Sequence, residues 1–374
     1  MKFIDEYRNA KHTEKLANEI KRITKHRWQI MEICGGQTHT ILKYKLEELL
    51  PKQITLIHGP GCPVCVTATD FIDKAITIAF NDNVILTSYG DMLRVPGSKY
   101  NLLYARTLGA NIRIVYSPIE SVKLAQKNPN KKIVFFAIGF ETTAPATASS
   151  VIEAKRLGLK NYSILCAHVL VPPAIELILQ SQLTKINAIL AAGHVCTVMG
   201  YKEYLPIAKK YKVPIVVTGF EPNDILLGIL MAIRQLEEGR YEVENQYSRA
   251  VKENGNLNAQ KIMYEVFEIT DCNWRGIGLI KNSGLKLKKE YLDFDAEKIF
   301  HIDTIETYQR NECIAGLILQ GIKKPYECSQ FYKKCNPDNP LGAPMVSSEG
   351  ACSAYYRYNS INKFINKDER QIQH

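Results

Sequence analysis

The feature that most constrains the fold is a rhythm repeated along the first two-thirds of the chain: a short apolar run, a glycine-rich loop, then a helical segment. The runs are continuous in Val, Ile and Leu and lack the alternation of a strand with one wet face. Strands buried on both faces of a parallel sheet have this composition, and helices between them complete βαβ units. The sequence predicts strands at 28–33, 54–57, 84–89, 132–138, 163–167, 188–192 and 214–218.

The chain has 374 residues, which is too long for one ordinary hydrophobic core. We therefore predict two small parallel-sheet α/β domains and a third, α+β domain. The predicted boundaries are 28–118 for the first domain, 119–219 for the second, and 220–374 with residues 1–27 packed on it for the third.

The third region has a different pattern. Residues 257–269 are predicted to be helical, and residues 275–291 alternate like an antiparallel hairpin that turns at Asn282-Ser283-Gly284. The last 60 or so residues are weakly periodic and rich in Cys, Pro, Asn and Tyr. Such a segment needs something other than a large apolar core to hold it.

Ten cysteines are many for a chain whose start shows no signal peptide. No apolar run reaches the roughly 18 residues that span a bilayer, so we expect a cytoplasmic protein with no membrane association. Clustered cysteines in the cytosol favour metal binding or thiol chemistry over structural disulfides. The net charge of +10 fits a lysine-rich surface, although an acidic protein partner or a nucleic acid would also match it.

The strongest motif is Cys62-Pro-Val-Cys65, which opens a predicted helix. A Cys-x-x-Cys pair can close into a disulfide, and a helix N-terminus favours the thiolate. Half of a zinc site is the alternative, but the chain has no second Cys-x-x-Cys.

A second candidate is Cys34, which ends a predicted strand and precedes two glycines. The glycines are expected to leave its sulfur accessible, whereas a lone cysteine is more often a small core residue. His39 lies in the same Thr-rich loop and suits either a ligand environment or an ordinary loop.

Two further loops carry polar candidates after predicted strands. Glu141, in Gly139-Phe-Glu-Thr-Thr-Ala-Pro145, is either a helix-capping acid or a contact to a ligand or partner. His194, in Gly193-His-Val-Cys196, is either structural or a site residue. Because ligand sites form outside the carboxyl ends of parallel strands, we expect these loops to converge with Cys34, Cys62 and Cys65.

The C-terminal cysteines form a third group. They are separated by 14, 6 and 16 residues, and no histidine follows them before His374; the four are Cys313, Cys328, Cys335 and Cys352. Four thiolates suit an iron–sulfur cluster or zinc, and the long spacings differ from the close pairs of zinc ribbons. Glu349 lies beside Cys352 and is a further candidate.

Five segments between Cys34 and Cys352 belong to a resemblance that extends over roughly residues 5–360. They are Cys34-Gly-Gly, His58-Gly-Pro-Gly-Cys-Pro-Val-Cys65, Gly139-Phe-Glu-Thr-Thr-Ala-Pro145, Trp274-Arg-Gly-x-Gly and Ser347-Ser-Glu-Gly-Ala-Cys352. Together they resemble the HypD family of [NiFe]-hydrogenase maturation proteins, whose terminal cysteine spacing this chain also matches. One position departs from the family pattern: Gln37 stands where the usual Cys-Gly-Gly-His-Thr-His loop has its first histidine, which leaves the role of Gln37 open.

The resemblance implies a scaffold that acts with the small protein HypC. On it an iron atom acquires two cyanides and one carbon monoxide; cyanide comes from HypE, charged by HypF, and the finished unit goes to the hydrogenase large subunit. It also implies that Cys34 binds the iron, that Cys62 and Cys65 are a thiol pair, and that the four terminal cysteines hold a [4Fe-4S] cluster in the third domain. By itself the protein is expected to be a monomer that binds no nucleic acid.

These observations give a mechanistic hypothesis. Cys34, with a thiolate from the HypC-type partner, holds Fe(II) carrying CN and CO, while Cys62 and Cys65 cycle between dithiol and disulfide, fed by the cluster. Glu141, His194 and Glu349 are expected to move protons or orient partners. The rival hypotheses are a stand-alone iron–sulfur thiol–disulfide oxidoreductase and a zinc-stabilised nucleic-acid binder.

Overall fold

Two parallel sheets organise the computed structural model, which describes residues 5–183, 185–302 and 312–358. Their strands are β1 (Trp28–Glu32), β2 (Ile54–His58), β3 (Val84–Ser88), β4 (Ile112–Ile114), β5 (Lys132–Gly139), β6 (Tyr162–His168), β7 (Ala188–Ala192), β8 (Ile215–Thr218) and β9 (Val243–Asn245). Sheet I has the order β2-β1-β7-β8-β9 and sheet II the order β4-β3-β5-β6, with parallel pairing throughout. The α/β class and the seven predicted strands are confirmed; β4 and β9 are additional short strands.

Sheet I is discontinuous in sequence. β1 and β2 precede all of sheet II, while β7, β8 and β9 follow it, and β1 pairs directly with β7 from Ile30↔Ala188 to Glu32↔Leu190. The predicted sequential division into 28–118 and 119–219 therefore does not coincide with the two sheets. Buried apolar runs of similar composition can pair with near or distant neighbours, so the pattern that locates strands does not fix their order.

Sixteen α-helices lie within the described residues. They are α1 (Ala10–Ile23), α2 (Gly35–Lys43), α3 (Leu46–Leu49), α4 (Pro63–Val66), α5 (Thr69–Ala79), α6 (Leu102–Thr107), α7 (Pro118–Lys127), α8 (Ala144–Arg156), α9 (Val171–Gln180), α10 (Gly193–Met199), α11 (Tyr204–Tyr211), α12 (Pro222–Glu237), α13 (Leu257–Val266), α14 (Ala296–Ile299), α15 (Ala315–Leu319) and α16 (Ala351–Tyr358). Short 3₁₀-helices occupy Asp5–Arg8, Gly90–Arg94, Lys289–Phe294, Pro325–Glu327 and Ala343–Met345. None of the described helices is both long and apolar enough to cross a membrane.

The N-terminal helix α1 packs on α12 at one face of sheet I. The side chain of Asn9 accepts a hydrogen bond from the amide of His12, which caps the helix, and Leu16 and Ile20 are buried one turn apart. α12 begins with Pro222 at its first turn, where proline costs no hydrogen bond. Both helices share a core with β1, β2, β7 and β8.

The predicted hairpin exists, but its turn is placed differently. β10 (Phe267–Trp274) pairs antiparallel with β11 (Gly278–Leu287), so the chain turns at residues 275–277, and the helix predicted to run to residue 269 ends at Val266. Gly276 and Gly278 adopt φ of +72° and +103°, conformations that glycine adopts without a Cβ penalty. The Asn282 region instead lies opposite an irregularity in the ladder between Thr270 and Cys272.

The C-terminal segment forms a small core of its own. Ile318, Met345 and Tyr355 are buried there, with Leu42 of α2 packed against them. This contact joins the segment to the end of sheet I where the Cys34 loop lies. Of the predicted third domain, residues 303–311 and 359–374 lie outside the described residues, as do residues 1–4 of the N-terminal segment.

Candidate functional site

The carboxyl end of sheet I brings the predicted cysteine loops together. Cys34 precedes α2 at the end of β1, and Cys62 caps α4 after β2. The amide of Gly35 donates to the carbonyl oxygen of Gly61 at 3.0 Å. A Cβ on Gly61 would overlap the backbone of Cys34, so only glycine allows this approach. The predicted convergence of Cys34 with the Cys62–Cys65 loop is present.

Cys62 and Cys65 are joined by a disulfide. The two residues are 3% and 0% exposed, and the amide of Cys65 donates to Cys62 Sγ at 3.3 Å. Pro63 occupies the first helical position, so the pair spans the start of α4 as the motif predicted. A disulfide this deeply buried is out of reach of a bulky protein substrate but lies next to the Cys34 loop.

The Cys34 side chain is buried, contrary to the expectation that the adjacent glycines leave its sulfur accessible; the residue is 9% exposed. Gly35 packs on Glu349, and Gly36 packs on the ring of Phe220, so the glycines admit neighbouring residues rather than solvent. Burial raises the pKa of the Cys34 thiol to about 12, and the charge of Glu349 adds to the effect. The thiol is therefore protonated at neutral pH until a cation displaces its proton.

A buried polar chain behind Cys34 was not predicted. Glu32 accepts a hydrogen bond from the amide of Cys34 at 3.0 Å and contacts His58 Nδ1 at 2.6 Å. His58 Nε2 in turn lies 3.1 Å from the hydroxyl of Tyr355, to which Lys324 Nζ donates at 3.0 Å. Glu32, His58 and Tyr355 are at most 3% exposed. A glutamate inside the apolar run of β1 was the feature of the sequence that could have revealed this chain.

His39 and Gln37 both turn away from the Cys34 sulfur. His39 Nδ1 donates to the carbonyl of Ser348 at 3.4 Å, and its Nε2 accepts from the hydroxyl of Tyr358 at 3.3 Å. Gln37 is fully buried and donates from Nε2 to the carbonyls of Ala191 and Thr218 at 3.3 and 3.1 Å. His39 thus ties α2 to the C-terminal segment, and Gln37 ties α2 to the ends of β7 and β8.

His194 lies at the rim of the site. Its exposed imidazole stacks on Phe220, with ring centroids 3.7 Å apart, and Phe220 also packs on Gly36 beside Cys34. The His194 loop is therefore part of the same edge of sheet I, with its ring turned to solvent. Two residues further along α10, Cys196 is fully buried.

Glu141 follows β5 of sheet II and faces a cavity of about 460 Å³ that is also lined by residues of α9, α11, α13 and β11. Its Oε1 accepts from the amide of Val171 at 2.9 Å, whereas buried Oε2 has no hydrogen-bond partner among the described residues. Burial raises the pKa of Glu141 to about 8, so the carboxyl is largely protonated at neutral pH. Glu141 therefore lies at the end of sheet II, whereas Cys34, Cys62 and Cys65 lie at the end of sheet I.

The four C-terminal cysteines also come together. Burial raises the pKa of the Cys352 thiol, and the charges of the other three raise it further, in the order Cys313, Cys335 and Cys328. The amide of Leu341 donates to Cys335 Sγ at 3.4 Å, and a Cβ on Gly342 would occupy the position of Cys313 Sγ. Four thiols of this kind, one accepting from an amide and one packed beside a glycine, are a donor set for an iron–sulfur cluster or a zinc ion.

Glu349 connects this segment to the Cys34 loop through its packing against Gly35. Within residues 5–183, 185–302 and 312–358, no three His, Cys, Asp or Glu side chains are arranged to hold a single metal ion. Cys328, Cys335 and Cys352 thus share one small core, with Cys313 beside Gly342, but the four thiols are not arranged around a single ion.

Comparison with known proteins gives one consistent result. The family model described as "HypD: Hydrogenase formation hypA family" matches residues 11–359. The chain is 47% identical over 367 residues to the hydrogenase maturation factor HypD of Azotobacter vinelandii, covering 96% of this chain and 97% of that protein. It is 43% identical over 366 residues to HypD of Escherichia coli K12, covering 96% and 98%. HypD2 of Bradyrhizobium diazoefficiens is 45% identical over 368 residues, covering 96% and 97%.

Proposed function

Because this chain belongs to the HypD family of hydrogenase maturation factors, we propose that it is a scaffold on which iron acquires its cyanide and carbon monoxide ligands for a [NiFe]-hydrogenase. Cys34 is the protein ligand that this chain supplies to the iron, and a small HypC-type partner supplies a second thiolate. The observation that carries the proposal is the Gly35–Gly61 hydrogen bond, which fastens the Cys34 loop to the Cys62–Cys65 disulfide.

Iron is the cargo of this site. Fe²⁺ with cyanide and carbon monoxide favours soft, electron-rich ligands such as thiolates. Since the pKa of Cys34 is raised to about 12, iron binding must displace the thiol proton. Glu32 does not compete for the metal, because its carboxylate already accepts hydrogen bonds from Cys34 and Thr38 and contacts His58.

The disulfide is the second functional element. Its reduction takes up two electrons and two protons, breaks the S–S bond and leaves the thiols of Cys62 and Cys65. Glu141, which is buried, and His194, which is exposed, are the candidates for proton donors to this reduction. The dithiol beside Cys34 can then reduce a ligand precursor or keep the iron ferrous.

The four C-terminal cysteines fit a [4Fe-4S] cluster, with Cys313, Cys328, Cys335 and Cys352 as its ligands. When bound, such a cluster supplies single electrons, received from an external one-electron donor. Gly342 leaves room for the Cys313 sulfur, and amide donors face Cys335. The packing of Glu349 on Gly35 keeps this segment against the cargo site.

Partners are expected to dock at the rim of the carboxyl edge of sheet I. His194 is exposed there on Phe220, and Glu349 lies on the opposite side of the Cys34 loop. The HypC-type protein would cover Cys34, and a HypE-type protein, charged by HypF, would deliver cyanide. The hydrogenase large subunit receives the completed unit indirectly, through the small partner.

Infrared spectroscopy on the protein purified with its HypC-type partner tests the scaffold. We expect bands from bound cyanide and carbon monoxide, lost completely in Cys34→Ala and retained in Cys166→Ala, a cysteine on β6 away from the site. Bands of equal intensity in Cys34→Ala would overturn the assignment of the iron ligand.

A stand-alone thiol–disulfide oxidoreductase is the second candidate, favoured by the closed Cys62–Cys65 pair. It predicts turnover on small disulfide substrates in the absence of any partner. The deep burial of both cysteines opposes attack on protein disulfides. Partner-independent turnover without cyanide bands would favour this candidate over the scaffold.

A further inference from the structure

Arg275 occupies a position between the disulfide and the four C-terminal cysteines. Its amide donates to the carbonyl of Val66 at 2.8 Å, at the end of the helix that begins with the Cys62–Cys65 pair. The preceding residue, Trp274, forms an isolated antiparallel bridge with Thr67. The backbone of this segment is therefore attached to the disulfide helix independently of the arginine side chain.

The guanidinium of Arg275 points to the other side. Nη2 donates to the carbonyl of Pro96, and Nη1 is buried without a hydrogen-bond partner among the described residues. A small cavity of about 60 Å³ is lined by Arg275 and Cys313, together with Gly276, Gly316 and Gly342. A buried N–H group without a hydrogen-bond partner costs free energy of folding. An open donor beside the Cys313 thiol therefore indicates that an acceptor, such as a thiolate sulfur, occupies this position in the functional protein.

Charge on Cys313 and charge on Arg275 affect each other. Burial lowers the pKa of Arg275 to about 10, and the neighbouring Cys313 and Asp73 oppose that shift. Since this value is well above neutral, the side chain is a cation under physiological conditions. Glycines at 276 and 316 let the two backbones touch, because a Cβ on Gly276 would lie 2.7 Å from Gly316 Cα, and this contact holds Arg275 near the Cys313 segment.

We propose that Arg275 is a positioning residue that raises the reduction potential of the four-cysteine centre through its buried charge next to Cys313. This inference rests on the proposed function, in which the centre is a [4Fe-4S] cluster. Reduction adds one negative charge to the centre, and a cation in a low-dielectric environment stabilises the more negative state. The open Nη1–H also provides a hydrogen bond to sulfur, which acts in the same direction.

The functional consequence concerns the transfer of an electron from the external donor to the centre. The positive charge of Arg275 keeps the reduction potential of the centre high enough for an external one-electron donor to reduce it. Its backbone is bonded to Val66, so the stabilised centre lies on the side of the protein that faces the disulfide helix. Loss of the side-chain charge should leave the hydrogen bond to Val66 intact, because the backbone amide of Arg275 donates it.

The test is an electrochemical titration of the full chain, reconstituted with iron and sulfide under anaerobic conditions. Dithionite reduction with redox mediators is followed by electron paramagnetic resonance. In Arg275→Gln, we expect the ratio of reduced to oxidised centre at a fixed potential to fall at least tenfold, equivalent to a 59 mV decrease for one electron. Arg275→Lys keeps the charge and should remain within threefold of the wild type.

Two further variants separate charge from structure. Asp73→Asn removes an anion that faces Arg275 and keeps an acceptor for the amide of Ser98, so the ratio should rise. Arg94→Gln removes another arginine that donates to carbonyls of the C-terminal segment, at Pro337 and Val346, and should leave the ratio unchanged. If Arg275→Gln does not fold, Arg275→Met, which keeps the apolar stem without the charge, replaces it and should give the same fall in the ratio, whereas an unchanged ratio would overturn the inference.

The outcomes also distinguish a failure of the proposed function from a failure of the role assigned to Arg275. A wild-type protein that binds no [4Fe-4S] cluster, judged by its absorption and resonance spectra, would overturn the proposed function together with this inference. A wild-type cluster whose potential is the same in Arg275→Gln, or shifts equally in Arg275→Lys, would overturn the inference alone.

Discussion

The amide of Gly35 and the carbonyl oxygen of Gly61 are hydrogen-bonded at 3.0 Å, and this bond joins the loop of Cys34 to the loop of the disulfide. The two glycines have different neighbours: Gly35 packs on Glu349, whereas Gly61 lies against the Cys34 backbone. The proposed iron site is thus assembled from backbone contacts that any side chain at these positions would obstruct.

Substitution of Gly61 by alanine should separate the two loops. The added Cβ would overlap the Cys34 backbone, and overpacking of this kind costs about 1–3 kcal/mol of unfolding free energy. We expect that loss in urea unfolding, together with weaker cyanide and carbon monoxide bands. Gly90→Ala is the matched control, because its Cβ would meet only Ile114 at 3.8 Å or more. Equal stability of the two variants would contradict the close approach.

Removal of the disulfide should abolish maturation without removing the iron–sulfur centre. In Cys62→Ser or Cys65→Ser, we expect hydrogenase activity in cells to fall at least a hundredfold, because the remaining thiol cannot form the intramolecular S–S bond whose reduction takes up two electrons. Visible absorption of the purified protein near 400 nm should match that of the wild type. Normal maturation in either variant would exclude a redox role for the pair.

The buried chain behind Cys34 should contribute measurably to stability. His58→Ala leaves the Glu32 carboxylate without its 2.6 Å contact, and loss of a hydrogen bond to a charged group costs about 1.5–3 kcal/mol. Tyr355→Phe removes a hydroxyl bonded to His58 and Lys324, but Lys324 keeps its bonds to Glu47 and to the carbonyl of Leu56, so we expect a loss of about 1 kcal/mol. Denaturant titration of both variants should give this order, and the reverse order would argue against Glu32 as the centre of the chain.

The protonation of Glu141 should make stability depend on pH. Burial raises its pKa from the ordinary 4.5 to about 8, so below pH 4.5 both folded and unfolded chains hold the proton. Between these values unfolding releases a proton, and stability falls as pH rises, by up to about 1.4 kcal/mol per pH unit. Above pH 8 Glu141 is ionised in both the folded and the unfolded chain, so its contribution to the pH dependence of stability ends.

Comparison with Glu141→Gln isolates this contribution. The variant side chain cannot ionise. The unfolding free energy of the variant minus that of the wild type should therefore increase steadily from pH 5 to pH 8, as measured by urea unfolding at each pH. Glu176→Gln is the control, since this carboxylate lines the same cavity but is 37% exposed and paired with Lys210. A constant difference between Glu141→Gln and the wild type would show that Glu141 is ionised throughout.

The strand positions were predictable because each buried strand is a continuous apolar run. β4 was not predicted because it has only three residues, and two of them, Arg113 and Ile114, are exposed. The strand order of sheet I was not predicted because β1 pairs with β7, about 160 residues further along the chain. The local sequence of neither strand indicates which strand it pairs with. The hairpin turn was misplaced because Asn282-Ser283-Gly284 has turn-like composition, whereas the actual turn depends on the positive φ of Gly276.

The site was predictable to the level of its loops. Motif glycines located Cys34 and the Cys62–Cys65 pair, and the carboxyl-edge rule for parallel strands predicted that they meet. The sequence did not indicate how deeply Cys34 is buried, because the covering residues, Phe220 and Glu349, come from distant segments. For the same reason the His58–Tyr355 contact, which joins residues 297 positions apart, has no local sequence pattern.

The discontinuity of sheet I has a consequence for how the protein is made. On the ribosome, the segment with Cys34, Cys62 and Cys65 emerges early, but β1 lacks its partner β7 until residues 188–192 have been synthesised. Pairing between distant segments is slow, so these thiols spend much of synthesis uncovered. During that interval they can react with oxidants or bind stray metal ions. Slow translation of residues 84–187 would lengthen this vulnerable period, and a chaperone that covers the nascent N-terminal segment would shorten it.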